Sequence, residues 1–328
     1  MKLKLFFYLC MLPFLCFAQE TNIQLSNRYG MKMTRNEDGT YALLYAKKYA
    51  KFIDVKTIPD VMLPYTYQPD LLKSKDYKGI LTKDFVFKKY KDYELVLTVD
   101  FAESGNPNPF VIYIHGGGWA RGDNSSSKTL SQYLAKQKGI TGIRVSYTLA
   151  PQSNATVLVS IEDIRDALKY VQEHAKELNI NPNCFGFLGT SAGAHLAAVA
   201  AMTIPGTKAF VGYSGIYDLE KAEITMKTKD PQRIAYFCNR DPKVLREVSP
   251  VNLIPRNDIP VSMLVCGSCD VTVECEQSEM FAAALKKKGA VCNLLKYKYY
   301  DHNLSSKTSD KMEEIFFKSV DFLTHYIK

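Results

Sequence analysis

Histidine and tryptophan are scarce in this 328-residue chain, which holds five His and one Trp. So few imidazoles leave a short field of candidates for a general base or a metal ligand. No matching Cys or His pair accompanies Cys266-x-x-Cys269, which removes the ligand set of a zinc site. No metal or other cofactor is therefore expected. No internal repeat stands out, which excludes solenoid and propeller architectures. Long apolar runs are missing as well. Only residues 5–17 form one, and it is too short for a comfortable membrane span, so no stable span is expected. Strong charge of one sign is absent: the formal +8 is spread along the chain, as at Lys47-Lys48 and Lys286-Lys287-Lys288. With no nucleic-acid-binding motif beside it, that charge reads as a solvated surface, and nucleic acid is not an expected partner.

What the chain does have is apolar material, at 46% of its residues, enough for a large core. Strand-like runs recur at 94–101, 110–114, 141–146, 184–188, 209–213, 261–266 and 293–297, with helical patterns between most of them. That alternation is the signature of a mostly parallel central sheet with helices on both faces, an α/β architecture. The length would allow two domains, but such sheets run to about 250 residues and beyond as one. The expected division is a leader at 1–18, an N-terminal extension of open role at 19–84 and one catalytic domain at 85–328.

Two glycine motifs follow two of these strands. Gly189-Thr190-Ser191-Ala192-Gly193 joins the apolar run 184–188 to a small-residue helical run beginning at Ala192. A chain reversing that sharply places Ser191 at the tip of a turn, with its hydroxyl above the sheet beside a helix N-terminus. Gly189 and Gly193 leave room for strand and helix to approach. Earlier, His115-Gly116-Gly117-Gly118-Trp119 closes the run 110–114. Its glycines can turn backbone amides toward a ligand, so the N–H groups of Gly117 and Gly118, with that of Ala192, form the expected oxyanion hole. Read together, the motifs supply a serine to attack a carbonyl and donors for the charge that develops.

From about Lys91 to the C-terminus the chain resembles the α/β-hydrolase esterases that carry an HGGG motif, the hormone-sensitive-lipase-like and carbohydrate-esterase (BD-FAE-like) branch. Ser146-Tyr147-Thr148-Leu149-Ala150-Pro151 is similar to that family's Y-R-L-A-P segment. Gly212 to Leu219 after the next strand, and Ser249-Pro250 before the acid strand, also fit. Two positions depart from the pattern: Thr148 stands where the family often has Arg, and Ala194 where it often has a further Gly. The resemblance implies the α/β-hydrolase fold and a chain order of serine, acid, histidine.

That order selects the base. His115 belongs to the glycine loop and suits a structural hydrogen bond. His174 sits in a helical run and reads as solvated, His195 one turn past Ser191 as a satisfied helix histidine, and His325 as a residue of the C-terminal helix. His302, in a loop after the last strand-like run, remains as the base that takes the serine proton. Asp270 follows the 261–266 strand in a segment resembling the family's H-G-x-x-D and is the expected acid. Asp301 directly precedes His302 in sequence and is set aside, and Asp218 reads as a loop or cap residue.

The N-terminus carries an address: Lys2 and Lys4, the apolar run and Cys16-Phe17-Ala18 before Gln19 read as a cleavable leader, so export to a periplasm or beyond is expected. Some cysteines can pair in an oxidising compartment. Two outcomes stand side by side for them: a Cys269–Cys275 staple around Asp270, and buried free thiols. The segment 220–247 is expected to wall one side of the substrate pocket.

The expected function is an exported serine esterase acting on a small-molecule or carbohydrate ester, with acetyl or feruloyl groups on carbohydrate favoured by the resemblance. Two rivals stand beside it. One is an amide-cleaving relative, formamidase-like or peptidase-like, with the same triad; the other is a non-catalytic binding module on a hydrolase fold.

Overall fold

The computed structural model describes residues 79–328 except 105, 269, 299 and 305–308, together with three short strands nearer the N-terminus. Those strands, β1 (Asn22–Ile23), β2 (Lys32–Arg35) and β3 (Tyr41–Leu44), form an antiparallel sheet in that order. The expected leader and most of the 19–84 extension lie outside the described residues.

The central sheet has eight described strands: β4 (Thr82–Lys89), β5 (Glu94–Asp100), β6 (Asn108–Ile114), β7 (Thr141–Val145), β8 (Ile180–Thr190), β9 (Ala209–Tyr213), β10 (Val261–Gly267) and β11 (Cys292–Tyr297). Their spatial order is β11-β10-β9-β8-β6-β7-β5-β4. From β11 to β7 every pairing is parallel, while β5 and β4 join antiparallel at the other edge. This is the α/β-hydrolase fold. Strand β4 begins at Thr82, so the central sheet takes in residues on both sides of the 84/85 boundary.

Period-two alternation decides which layer each side chain joins. On β6, Phe110, Ile112 and Ile114 pack into one core with the helices Val157–Glu173, Ala192–Thr203 and Cys275–Lys287. Val111 and Tyr113 face the opposite layer, against Leu130 and Leu134 of the helix Lys128–Lys138 and Phe322 and Leu323 of the helix Ser309–Tyr326. With both faces covered, the central strands are apolar nearly throughout. Each fully buried side chain of this size is worth roughly 1.5–3 kcal/mol relative to exposure. The sheet is therefore a rigid floor for whatever its carboxyl ends carry.

One polar exception is Arg144, on a strand whose residues are all buried. Its guanidinium reaches across to Asp100 on β5, with Nε 2.8 Å from Oδ2, and Ser131 donates to the same carboxylate. A buried pair of this kind persists because both charges are hydrogen-bonded.

Candidate active site

Strand β8 ends at Thr190 and the helix Ala192–Thr203 starts two residues later, leaving Ser191 alone at the reversal. Its φ of 55° and ψ of −121° are a strained conformation for a residue with a β-carbon. Close packing enforces it: a β-carbon on Gly193 would lie 2.1 Å from the Ile114 carbonyl oxygen, and one on Gly189 would lie 2.3 Å from that of Gly193. Ser191 N–H donates to the Tyr213 carbonyl at 2.7 Å, which pins the turn to the end of β9. Ser191 remains nearly buried, so its hydroxyl opens into a restricted space.

That hydroxyl meets His302. Ser191 Oγ lies 2.9 Å from His302 Nε2, and His302 Nδ1 lies 2.7 Å from Asp270 Oδ2. A carboxylate only accepts, so Nδ1 carries the imidazole proton and Nε2 is left bare to receive the serine's. Asp270 is held in turn: its Oδ1 accepts the N–H groups of Thr272 and Val273, both at 2.8 Å. The carboxylate is fully buried and the imidazole mostly so. From behind, Ser214 donates its hydroxyl to the His302 carbonyl at 2.9 Å, which makes the neighbour of Tyr213 a brace for the histidine loop.

The glycine loop lies against the serine. A β-carbon on Gly116 would fall 3.3 Å from Ser191 Cβ and 2.9 Å from the Thr190 carbonyl oxygen. Gly117 has φ of 116°, a conformation that favours glycine, and a β-carbon there would lie 2.0 Å from the Arg121 carbonyl oxygen. Ala192 is the first residue of its helix, so its N–H has no acceptor within that helix. His115 secures the loop from below. Its Nδ1–H donates to the Gly116 carbonyl at 2.7 Å, its ring stacks on Tyr147 at 4.4 Å, and Tyr147 donates to the His115 carbonyl at 3.0 Å. Burial lowers the His115 pKa below the ordinary imidazole value, partly offset by the bond to Gly116. It stays neutral and structural.

Trp119 and His195 connect the loop to the helix. The indole Nε1–H donates to His195 Nδ1 at 3.3 Å, and His195 Nε2–H donates to the Val248 carbonyl at 2.8 Å. Burial pushes the His195 pKa down to about 4, against the opposing pull of its bond to Val248. The Trp119 carbonyl accepts the N–H of Ala150 at 2.7 Å, a second tie from the Tyr147-to-Pro151 segment beside that of Tyr147.

A cavity of about 540 Å³ opens above Ser191. The three glycines, Gly122, His302 and Asn303 line it. Arg121, Ser126, Ser127 and Thr272 make the remaining walls polar. Ile224 is the one large apolar side chain among the described lining residues. It comes from the segment expected to wall the pocket, and Arg233 of the same segment lies against the glycine loop, its Nη2 3.2 Å from where a Gly118 β-carbon would sit.

The structure thus brings Ser191, His302, Asp270, Gly117, Gly118 and Ala192 to one end of the sheet. Asp218 caps its own loop by accepting Glu220 N–H, and His195 is the satisfied helix histidine. His174 is half-buried rather than solvated, because it stacks on Tyr170 at 4.0 Å and donates to the Tyr170 carbonyl. The cysteine pairing also differs from expectation: the disulfide joins Cys266 to Cys275, with Cα atoms 5.5 Å apart. Cys266 still belongs to β10 and shares the face of Leu264, the face on which the helix Cys275–Lys287 packs. Cys269 lies outside the described residues. Cys184, Cys238 and Cys292 are free thiols.

Several positioning residues escaped the sequence. Gln277 accepts the N–H groups of Tyr217 and Asp218 and donates to the Asp218 carbonyl, holding the loop after β9. Ser214 and Val248 act through contacts 88 and 53 residues distant. Only the run of Ser214 after a strand end hinted at any role. Among the described residues no helix is long and apolar enough to cross a membrane, and no group of three or more His, Cys, Asp or Glu is arranged to hold a metal ion.

Comparison with known proteins finds relatives in sequence and in fold. A family model described as BD-FAE matches residues 101–285. The chain is 29% identical over 217 residues to a probable isoprenylcysteine alpha-carbonyl methylesterase ICME of Oryza sativa subsp. japonica, a match covering 60% of this chain and 52% of that protein. It is 28% identical over 206 residues to esterase LipQ of Mycobacterium tuberculosis, covering 57% and 48%. The chain therefore spans about half the length of these curated relatives. Among solved structures, the apo form of Thermogutta terrifontis esterase 2 superposes with a TM-score of 0.64 at 23% identity, covering 76% of this chain and 96% of that one.

Proposed function

The chain belongs to the BD-FAE family, and from that premise we propose that it hydrolyses carboxylic esters through Ser191, His302 and Asp270. The observation that carries the proposal is the unbroken relay from Ser191 Oγ to His302 Nε2 and from His302 Nδ1 to Asp270 Oδ2. The first step is attack by Ser191 Oγ on the ester carbonyl carbon as its proton passes to His302 Nε2. The imidazolium so formed faces the buried Asp270 carboxylate, which also fixes its orientation. The carbonyl oxygen takes up negative charge and receives the N–H groups of Gly117, Gly118 and Ala192. Losing one such donor typically costs ~10²–10³ in rate. Collapse expels the alcohol, protonated by His302, and leaves an acyl group on Ser191. Water, deprotonated by His302, then attacks that acyl group and the acid departs.

The pocket favours a polar ester. Lining by glycine, serine, threonine, arginine and asparagine offers hydrogen bonds to a hydroxylated alcohol and little apolar surface for a long acyl chain. A short acyl group, acetyl foremost, on carbohydrate is the reading this supports, with feruloyl groups as the second substituent to try. An exported enzyme suits such a substrate, and the leader-like N-terminal residues support that location.

The test compares the wild type with Ser191→Ala on aryl acetates beside acetylated and feruloylated xylo-oligosaccharides, with matched aryl amides alongside. Serine-dependent release of acetate from the sugar esters, faster than from aryl acetate, is expected. Activity on the amides alone would replace the ester reading. Absence of serine-dependent turnover on all of them would overturn the catalytic one.

A further inference from the structure

Among the described residues that line the pocket, apart from the catalytic histidine, one side chain is ionisable, and it is a cation: Arg121. Its backbone is fixed by the glycine loop. The Arg121 carbonyl occupies the space beside Gly117 that only glycine leaves open, and Ala120 N–H donates back to the Gly117 carbonyl at 3.2 Å. The start of the side chain is placed too, with Cγ 3.1 Å from where a Gly117 β-carbon would lie. Beyond that point the residue is exposed, and its guanidinium makes no hydrogen bond or ion pair with a described residue. The carboxylate nearest in sequence, Asp123, is turned to the N–H of Ser125.

A guanidinium anchored at its root beside the glycine loop, with Ser126 and Ser127 lining the same cavity, has the donors that recognise a carboxylate. Arginine binds such a group through two parallel N–H bonds, with geometric as well as electrostatic selectivity. We propose that Arg121 reads a carboxylate on the alcohol portion of the substrate, so that acylated acidic sugars of the uronic acid class are preferred over neutral ones. The carboxylate is assigned to the alcohol because the acyl group of the ester reading, on which this inference rests, is too short to bear one.

The test is a ratio. Glucuronic acid and glucose, each carrying one acetyl group at the same position, are compared by kcat/KM in the wild type, Arg121→Gln and Arg121→Lys. The wild type is expected to favour the uronate by roughly tenfold or more, the scale of a charge-assisted hydrogen bond. The preference should reside mainly in KM and shrink as salt screens the pair. Arg121→Gln should bring the ratio near one, and Arg121→Lys should keep part of it. A wild-type ratio near one, or a ratio unchanged in Arg121→Gln, overturns the proposal.

Calorimetric titration of Ser191→Ala with glucuronate and with glucose separates this subsite from the ester chemistry. Glucuronate binding that disappears in Ser191→Ala/Arg121→Gln, with neither ester hydrolysed by the wild type, would keep the anion subsite and remove the esterase. Hydrolysis of both esters at equal rates, with no glucuronate binding, would remove the subsite and keep the esterase.

Discussion

The indole N–H of Trp119 points at Nδ1 of His195 from 3.3 Å, and so fastens the loop of three glycines to the helix that starts beside Ser191. His195 passes the connection on to the Val248 carbonyl at 2.8 Å. One neutral imidazole therefore satisfies a buried donor on one side and a buried acceptor on the other. The proposed nucleophile and the proposed oxyanion donors keep their separation because this link is short and dry.

Replacing His195 by Leu preserves volume approximately and leaves both the Trp119 N–H and the Val248 carbonyl without a partner. Each buried orphan costs about 1–3 kcal/mol, so thermal unfolding should begin on the order of 10 °C lower. The ester rate should fall as well, since the glycine loop loses its tether. A melting curve of His195→Leu that overlays the wild type would show that the bridge carries no stability.

Stability should also depend on pH through the same residue. In the unfolded chain His195 titrates near its ordinary value, about 6.5, whereas burial in the folded chain holds it down to about 4. Above pH 6.5 both forms are neutral and the full stability is present. As pH falls below 6.5 the unfolded chain binds a proton that the native site refuses, so stability declines toward pH 4. His115, lowered by burial, acts in the same direction. Melting temperatures measured between pH 8 and pH 4.5 should drop below 6.5, and the drop should be shallower in His195→Leu. An equal slope in the two proteins would assign the effect to other groups.

Asp270→Asn tests the orientation of the base. The amide keeps the shape of the side chain and its bonds to the loop after β10, yet it removes the charge that faces the imidazolium and permits the wrong tautomer. A loss in kcat on the order of 10⁴ is expected by analogy with buried triad acids, with little change in melting temperature. A loss of less than about tenfold would mean that His302 is oriented by something else, such as the Ser214 hydroxyl at its carbonyl.

The Cys266–Cys275 disulfide closes the loop that carries Asp270, with a sequence separation of nine. Loop-closure entropy for a ring of that size corresponds to ~2–3 kcal/mol. Cys266→Ala/Cys275→Ala should therefore melt several degrees below the oxidised wild type, and reduction should expose two further thiols in denaturant. A thiol count that does not change on reduction would remove the disulfide from the account.

The main parts of the site were legible because each is tied to a short sequence pattern. Ser191 sits in a five-residue turn motif between a readable strand and a readable helix, and the glycine loop follows the same logic. His302 could be reached because only five histidines compete and the other four have local explanations. What stayed hidden depends on contacts between distant segments. Val248 meets His195 only once the fold is closed, and Gln277 meets the Tyr217–Asp218 loop across 60 and 59 residues. The cysteine pairing was hidden for the same reason: the expected strand already held Cys266, and only the packing of the helix Cys275–Lys287 on its Leu264 face brings Cys275 to it. Arg144 was hidden for a related reason, since its partner Asp100 lies on a neighbouring antiparallel strand.

The central claim is that Ser191 is the nucleophile, and the most direct measurement is covalent trapping. The purified protein is treated with an activated aryl phosphonate ester, whose phosphorus accepts the serine oxygen as the aryl alcohol departs, and is then digested and sequenced by mass spectrometry. One adduct per chain, on the peptide bearing Ser191, should appear in step with the loss of esterase activity and be absent from Ser191→Ala. A label on another residue that tracks inactivation, or full hydrolytic activity in Ser191→Ala, would contradict the account.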